Sequence, residues 1–254
     1  MNTYLELLFL FVMAVIGGAV NVTIGGGWFI IFPSLIFRGI QPVPGTATTT
    51  IVLWSGFLAS SKSVQKTGEI SKTHFNYMLA ACTLGGILGA VLLIAFSPKV
   101  FETIAPFLLL CSWILFTFYN RIFNLFNSDN QLIRKFTYTP VKLIPLFILG
   151  IYGGYFGAGM GMLLFLLLRF YGIKNNETLE RLSLVLIAVN NGIAILIFIE
   201  SGLIFWPFAL VMMAGSIAGG FLGNAWKERM NTVLIKRNAI VYGATVTLYF
   251  LDII

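Results

Sequence analysis

Charge is scarce in this chain: 10% of its 254 residues are Asp, Glu, Lys or Arg, where a soluble globular protein carries roughly 25%. Histidine is scarcer, with His74 alone, and there are two cysteines. Cys82 and Cys111 both fall in apolar stretches, so no disulfide framework or oxidising compartment is indicated. One histidine and two cysteines supply no cluster with metal-ligand spacing, so no metal or cofactor is expected. There is no nucleotide-binding loop, and ATP is therefore not used by this chain alone. Carboxylates are missing from the middle of the apolar stretches; Glu6, Glu102, Glu200 and Asp252 all lie near their ends. Buried carboxylates mark proton relays and cation sites, so their absence argues against a cation pump. Met1–Glu6 has no basic leader, and the chain is read without a secretory signal.

What is present is hydrophobicity. Hydrophobic residues make up 58% of the chain, and the mean hydropathy is +0.93. Apolar stretches of about 15 to 25 residues follow one another with little between them, which is the pattern of a helical bundle in a bilayer and not of alternating β-barrel strands. The expected class is an all-α polytopic membrane protein with about eight apolar segments. The net charge of +7 does not indicate nucleic acid, because the basic residues are scattered in short loops, where they report topology.

Two of the apolar runs are too long and are broken by glycine. The run from Tyr4 to Phe37 has 34 residues, whereas about 20 helical residues cross a bilayer core. Gly25-Gly26-Gly27 interrupts it, each glycine costing on the order of 1 kcal/mol inside a helix. The run from Val141 to Tyr171 is interrupted by Gly153-Gly154 and by Gly157, Gly159 and Gly161. Between them lie segments at Thr46–Ser61, His74–Phe96 and Val100–Tyr119, with Pro42 and Pro44 read as turn markers before the first of these. The polar stretch Asn120–Pro140 reads as a linker, and segments at Leu179–Ile199, Leu203–Ala225 and Asn238–Ile254 complete the chain. The expected division is a first membrane repeat at 1–120, a cytoplasmic linker at 121–140 and a second repeat at 141–254.

The halves are related at a constant offset of 134 residues. Gly25 meets Gly159, Gly27 meets Gly161, and Gly68 meets Gly202 at that offset. Gly85-Gly86-Ile87-Leu88-Gly89 meets Gly219-Gly220-Phe221-Leu222-Gly223. Internal duplication is a recurring design of secondary transporters. Charge then decides the topology. If all eight runs cross once, the 16 Lys and Arg divide 7 to 9, which carries no orientation. If each broken run enters and returns, 14 fall on one face and only Arg38 and Lys99 on the other, as the positive-inside tendency requires. The expectation is two inverted repeats, each a glycine-broken re-entrant or hairpin segment followed by three transmembrane helices, with both termini outside. The limbs after the glycines, Trp28–Phe37 and Met160–Tyr171, rise about 15 and 18 Å, roughly half the hydrocarbon core. Inversion brings their N-termini together at mid-depth, where paired helix N-termini suit an anion.

Candidate ligand groups follow from that geometry: Gly25, Gly26, Gly27, Gly157, Gly159 and Gly161 at the breaks, Asn21 and Thr23 before the first, Thr48 and Thr49 in the hydroxyl-rich segment, and Asn190 and Asn191. Each has a plainer reading. The break glycines can serve close helix packing, the asparagines can be interhelical glue, and the threonines can bond their own helix carbonyls. Gly85, Gly86, Gly89, Gly219, Gly220 and Gly223 read as packing glycines. Arg38 and Arg169 complement the C-termini of the half-helices. The tryptophans read as interfacial anchors, Trp54 excepted as too central.

Gly25-Gly26-Gly27 followed by Pro33 and Leu35, the Thr-rich segment, the second glycine copy and the Gly-Gly-x-x-Gly helices resemble the TauE/SafE group of sulfite and organosulfonate exporters. The resemblance covers about residues 5–250. It implies a permease for a small sulfur-containing anion in a bacterial or archaeal cytoplasmic membrane, with lipid as its surroundings and export as its direction. The family often has glycine at Thr23, Met160 interrupts the second triple glycine, and Leu167 stands where the first copy has Pro33; substrate choice is expected at Thr23 and Met160. A non-enzymatic anion transporter with alternating access is the leading reading. The alternatives are an assembly protein without transport and an intramembrane enzyme, for which His74 and Ser216 are the available groups.

Overall fold

A computed structural model describes residues 3–60, 71–127, 140–173 and 175–226, with residues 241 and 245. The loop carrying Lys62 and Lys66, Lys174, and nearly all of the segment expected at Asn238–Ile254 lie outside the described residues. Those described are helical, in the order α1 (Thr3–Ile24), α2 (Trp28–Ile36), α3 (Pro42–Ser60), α4 (Lys72–Ala95), α5 (Pro98–Asn127), a 3-10 turn at Pro140–Lys142, α6 (Leu143–Tyr155), α7 (Met160–Phe170), α8 (Asn176–Glu200) and α9 (Trp206–Trp226). Among them α1, α4, α5, α8 and α9 are long and apolar enough to cross a membrane. Their outward faces are apolar: Tyr4, Leu8, Val12 and Ile16 form an exposed i, i+4 stripe on α1, the side a bilayer would solvate.

Two boundaries differ from expectation. The helix α3 begins at Pro42, so Pro42 and Pro44 open a helix instead of ending a loop. Proline at a first helical position loses an N–H that would be unpaired there anyway. The helix α5 continues to Asn127, through the first residues of the expected linker. Thr46, Thr48, Thr49 and Thr50 keep α3 out of the strongly apolar set, yet all four are buried. It is the enclosed central helix, with 13 of its 19 residues buried.

Both glycine-broken runs turn back on themselves. In the first, Gly27 packs on Gly17 and Asn21, and Gly17 also meets Ile31, so α2 retraces α1. At the far end of α2, Arg38 forms an ion pair with Glu6 near the start of α1. In the second, the Tyr171 hydroxyl after α7 donates to the Lys142 carbonyl before α6. Each run is a helical hairpin closed at its base.

The halves interlock. The helix α9 lies along α1 and α4 lies along α6, through glycines that admit a partner backbone: Gly219 sits against the Val15 carbonyl, Gly85 against Phe147 and Gly89 against Ile151. This is the packing role their spacing predicts. The helices α3 and α8 cross between the two groups, and there the Trp54 indole N–H donates to the Ala188 carbonyl at 2.8 Å. Trp54 and Ala188 are 134 residues apart, the offset of the sequence repeat.

Candidate functional site

The site begins with backbone. At the first break the Gly25 N–H still bonds the Asn21 carbonyl at 2.9 Å, but Gly25 turns to φ 73° and the helix stops. At the second, the Phe156 and Gly157 N–H groups share the Tyr152 carbonyl, and both Gly157 (φ 77°) and Gly159 (φ 70°) are left-handed. A side chain is disfavoured in that conformation, so the sequence must place glycine where the chain reverses. The helices α2 and α7 then start at Trp28 and Met160. Among the described backbone hydrogen bonds, none uses the N–H of Gly26, Gly27 or Trp28, nor that of Ala158, Gly159 or Gly161. These are the orphan donors of two helix N-termini.

One cavity of about 100 Å³ lies between the two breaks. From the first hairpin and α3 it is lined by Asn21, Gly25, Trp28, Thr50, Leu53, Trp54 and Phe57. From the second hairpin and α8 come Gly157, Gly159, Met160, Gly161, Ile187 and Asn191. Both halves of the chain thus build the same volume, and none of these residues is ionisable. The available polarity is donor-rich: two helix N-termini, each equivalent to roughly half a positive charge, and two side-chain amides; the Thr50 hydroxyl is engaged, donating to the Thr46 carbonyl at 2.9 Å. That combination suits a small anion and supplies no nucleophile and base for covalent chemistry. Ser216, the only hydroxyl weighed for a hydrolase, is fully buried, and its Oγ has no hydrogen-bond partner.

Of the residues singled out from sequence, Asn21, Gly25, Gly157, Gly159, Gly161 and Asn191 line the cavity, as do Trp54 and Met160. The others do not. Gly26 packs against the Phe116 ring and Gly27 is wedged between the Gly17 carbonyl and Leu53. The Thr23 hydroxyl donates to the Ala19 carbonyl at 2.8 Å. The Thr48 hydroxyl accepts the Phe205 N–H at 3.0 Å, which ties α3 to the start of α9. Thr49 is fully buried with an unpartnered hydroxyl. Asn190 is also fully buried and fills the space between α4 and α6. Its Oδ1 accepts from the Cys82 thiol at 3.7 Å, and its Nδ2 lies 3.6 Å from the Met160 sulfur.

Sequence reasoning missed Trp28, Thr50, Leu53, Phe57 and Ile187 as lining residues. Trp28 is not the interfacial anchor it resembles: it is 3% exposed and stacks on Phe32, ring centres 4.2 Å apart. A usable signal was helical phase. Thr50, Leu53, Trp54 and Phe57 fall at i, i+3, i+4 and i+7 on one face of α3, and Ile187 and Asn191 at i, i+4 on α8.

Comparison with known proteins bears on this arrangement. The sequence model of the family described as sulfite exporter TauE/SafE matches residues 10–250. The chain is 26% identical over 242 residues to a probable membrane transporter protein of Haemophilus influenzae, covering 94% of this chain and 91% of the relative. It is 27% identical to the probable membrane transporter protein ORF9 of a Sinorhizobium species, covering 91% and 86%. It is 24% identical to the probable membrane transporter protein YfcA of Escherichia coli K12, covering 94% and 87%. No solved structure matches the chain with significance.

Proposed function

The chain belongs to the sulfite exporter TauE/SafE family, and from that premise we propose that it is a secondary transporter that exports a small anion, sulfite or an organosulfonate, across the cytoplasmic membrane. The observation that carries the reading is the cavity that the two glycine breaks share. The anion sits there against the N-termini of α2 and α7, held by their free N–H groups and by Asn21 and Asn191. The two halves are inverted repeats about the α3–α8 crossing, and the cavity opens alternately to either face. Three observations support the inversion: the constant sequence offset and the 14-to-2 charge split, and the Trp54–Ala188 contact between residues one repeat apart.

Proteoliposomes loaded with labelled sulfite test the function. Efflux should require the protein and fall to background when Gly161 is replaced by Leu, a change that fills the cavity. Undiminished efflux in a folded Gly161→Leu protein would place the path elsewhere. Cysteine accessibility at Lys72→Cys and Arg181→Cys tests the inversion: both are expected on the cytoplasmic face, and labelling from opposite faces would overturn it.

A further inference from the structure

We infer that the site is built for one negative charge: it takes a singly charged oxyanion, which for sulfite is the hydrogensulfite ion, and rejects a doubly charged one of the same size. The inference rests on the transport reading and deepens it. It begins from what surrounds the cavity. Among the described residues, no Lys, Arg, His, Asp or Glu lines it. The arginines that follow the two breaks in sequence belong elsewhere, since Arg38 and Arg169 lie at or beyond the C-terminal ends of α2 and α7. Arg38 is paired with Glu6, and Arg169 donates to the Ile173 carbonyl at 3.3 Å. The titratable groups on the helices α4 and α6, Lys72, His74, Tyr77, Cys82, Tyr152 and Tyr155, do not line it either.

The positive potential therefore comes from the two helix N-termini, each worth roughly half an elementary charge, so that together they balance about one. A second feature points to a ligand at the same place. Trp28 is 3% exposed and lines the cavity, and its indole N–H has no acceptor in the protein, an arrangement that a buried donor keeps only at a cost. Trp28, Asn21 and Asn191 add hydrogen-bond donors but no net charge. A monoanion is thus matched in charge, while a dianion leaves about one unit uncompensated among Trp54, Leu53 and Phe57, in surroundings where an unpaired charge is strongly penalised. The expected discrimination is at least about 100-fold.

Perchlorate and sulfate are both tetrahedral oxyanions of similar size and differ in charge, and methanesulfonate is a monoanion that retains the sulfonate. Binding of each to the purified full-length protein at one pH is measured by calorimetry, with thermal shift as a second readout. Perchlorate and methanesulfonate are expected to bind at least about 100-fold more tightly than sulfate. Asn191→Lys, which adds a cation to the wall, is expected to narrow that gap at least about tenfold. Sulfate binding as tightly as perchlorate in the wild-type protein would overturn the inference and leave the transport reading standing. Binding of none of the three, with no sulfite efflux, would overturn the transport reading and the inference with it. Should Asn191→Lys fail to fold, the wild-type comparison still decides.

Discussion

At the first break Gly26 and Gly27 are clamped, one against the Phe116 ring with a Cβ position 2.9 Å from it, the other against the Gly17 carbonyl and Leu53. At the second break Gly159 has nothing within 4 Å of its Cβ position, and Gly161 meets only the end of Ile187 at 3.4 Å. The backbone differs in the opposite sense. The first reversal needs one left-handed glycine, Gly25, and the second needs two, Gly157 and Gly159. The same device is thus built once as a tight packing joint and once as an open loop over a void. Glycine at the first break makes room for protein, and glycine at the second leaves the cavity open. Met160, which interrupts the second glycine run, borders that void, which under the transport proposal makes it the place for chain-specific selectivity.

The largest expected effect lies on the clamped side. Gly27→Ala puts a methyl group inside contact distance of the Gly17 carbonyl and Leu53, and overpacking of this kind costs about 1–3 kcal/mol or more. Gly161→Ala, where the backbone is not left-handed and the nearest atom can yield, is expected to stay within about 0.5 kcal/mol of wild type. Thermal unfolding of both variants in one detergent measures the difference; equal losses would erase the distinction between the two breaks. Gly161→Leu sharpens the same comparison from the functional side: stability close to wild type, with sulfite efflux reduced at least about tenfold because the larger side chain occupies the cavity.

The neighbours Asn190 and Asn191 divide along the same line. Asn190→Ala leaves a hole between α4, α6 and α8 and should destabilise by about 1–3 kcal/mol. Asn191→Ala should leave stability unchanged and weaken anion binding by about twofold to tenfold, the worth of one hydrogen bond. Reversed outcomes would move the binding amide to Asn190.

Much of this was legible in the sequence, and what was not has physical reasons. The starts of α2 and α7 at Trp28 and Met160 follow from glycine ending one apolar run and hydrophobicity resuming at once. The hairpin return follows from charge, since only a return puts Lys and Arg on one face. The start of α3 was not legible, because Pro42 and Pro44 signal a turn and a first helical turn equally well. The end of α5 was not, because Asn120–Asn127 is polar enough to read as loop. The cavity face of α3 was missed by one or two residues: four threonines lie within one turn or so, and only packing against α8 and α9 sets which of them turns inward. Trp28 was misread because the beginning of an ordinary span is an interface, whereas the beginning of a half-helix is buried.

Thr23 offers the smallest expected effect. It stands two residues before the first break, where a family glycine is often found, and that departure made it a place to look for substrate choice. Its hydroxyl is already engaged by the Ala19 carbonyl one turn back, and the residue does not line the cavity. Such back-bonding contributes little to stability in a helix. Thr23→Val keeps the shape and removes only that bond. Stability is expected within about 0.5 kcal/mol of wild type, with sulfite efflux and the perchlorate-to-sulfate ratio unchanged. A shift in that ratio would mean that Thr23 reaches the anion in a conformation where its hydroxyl has left Ala19, and the clamped break would then take part in selection alongside the open one.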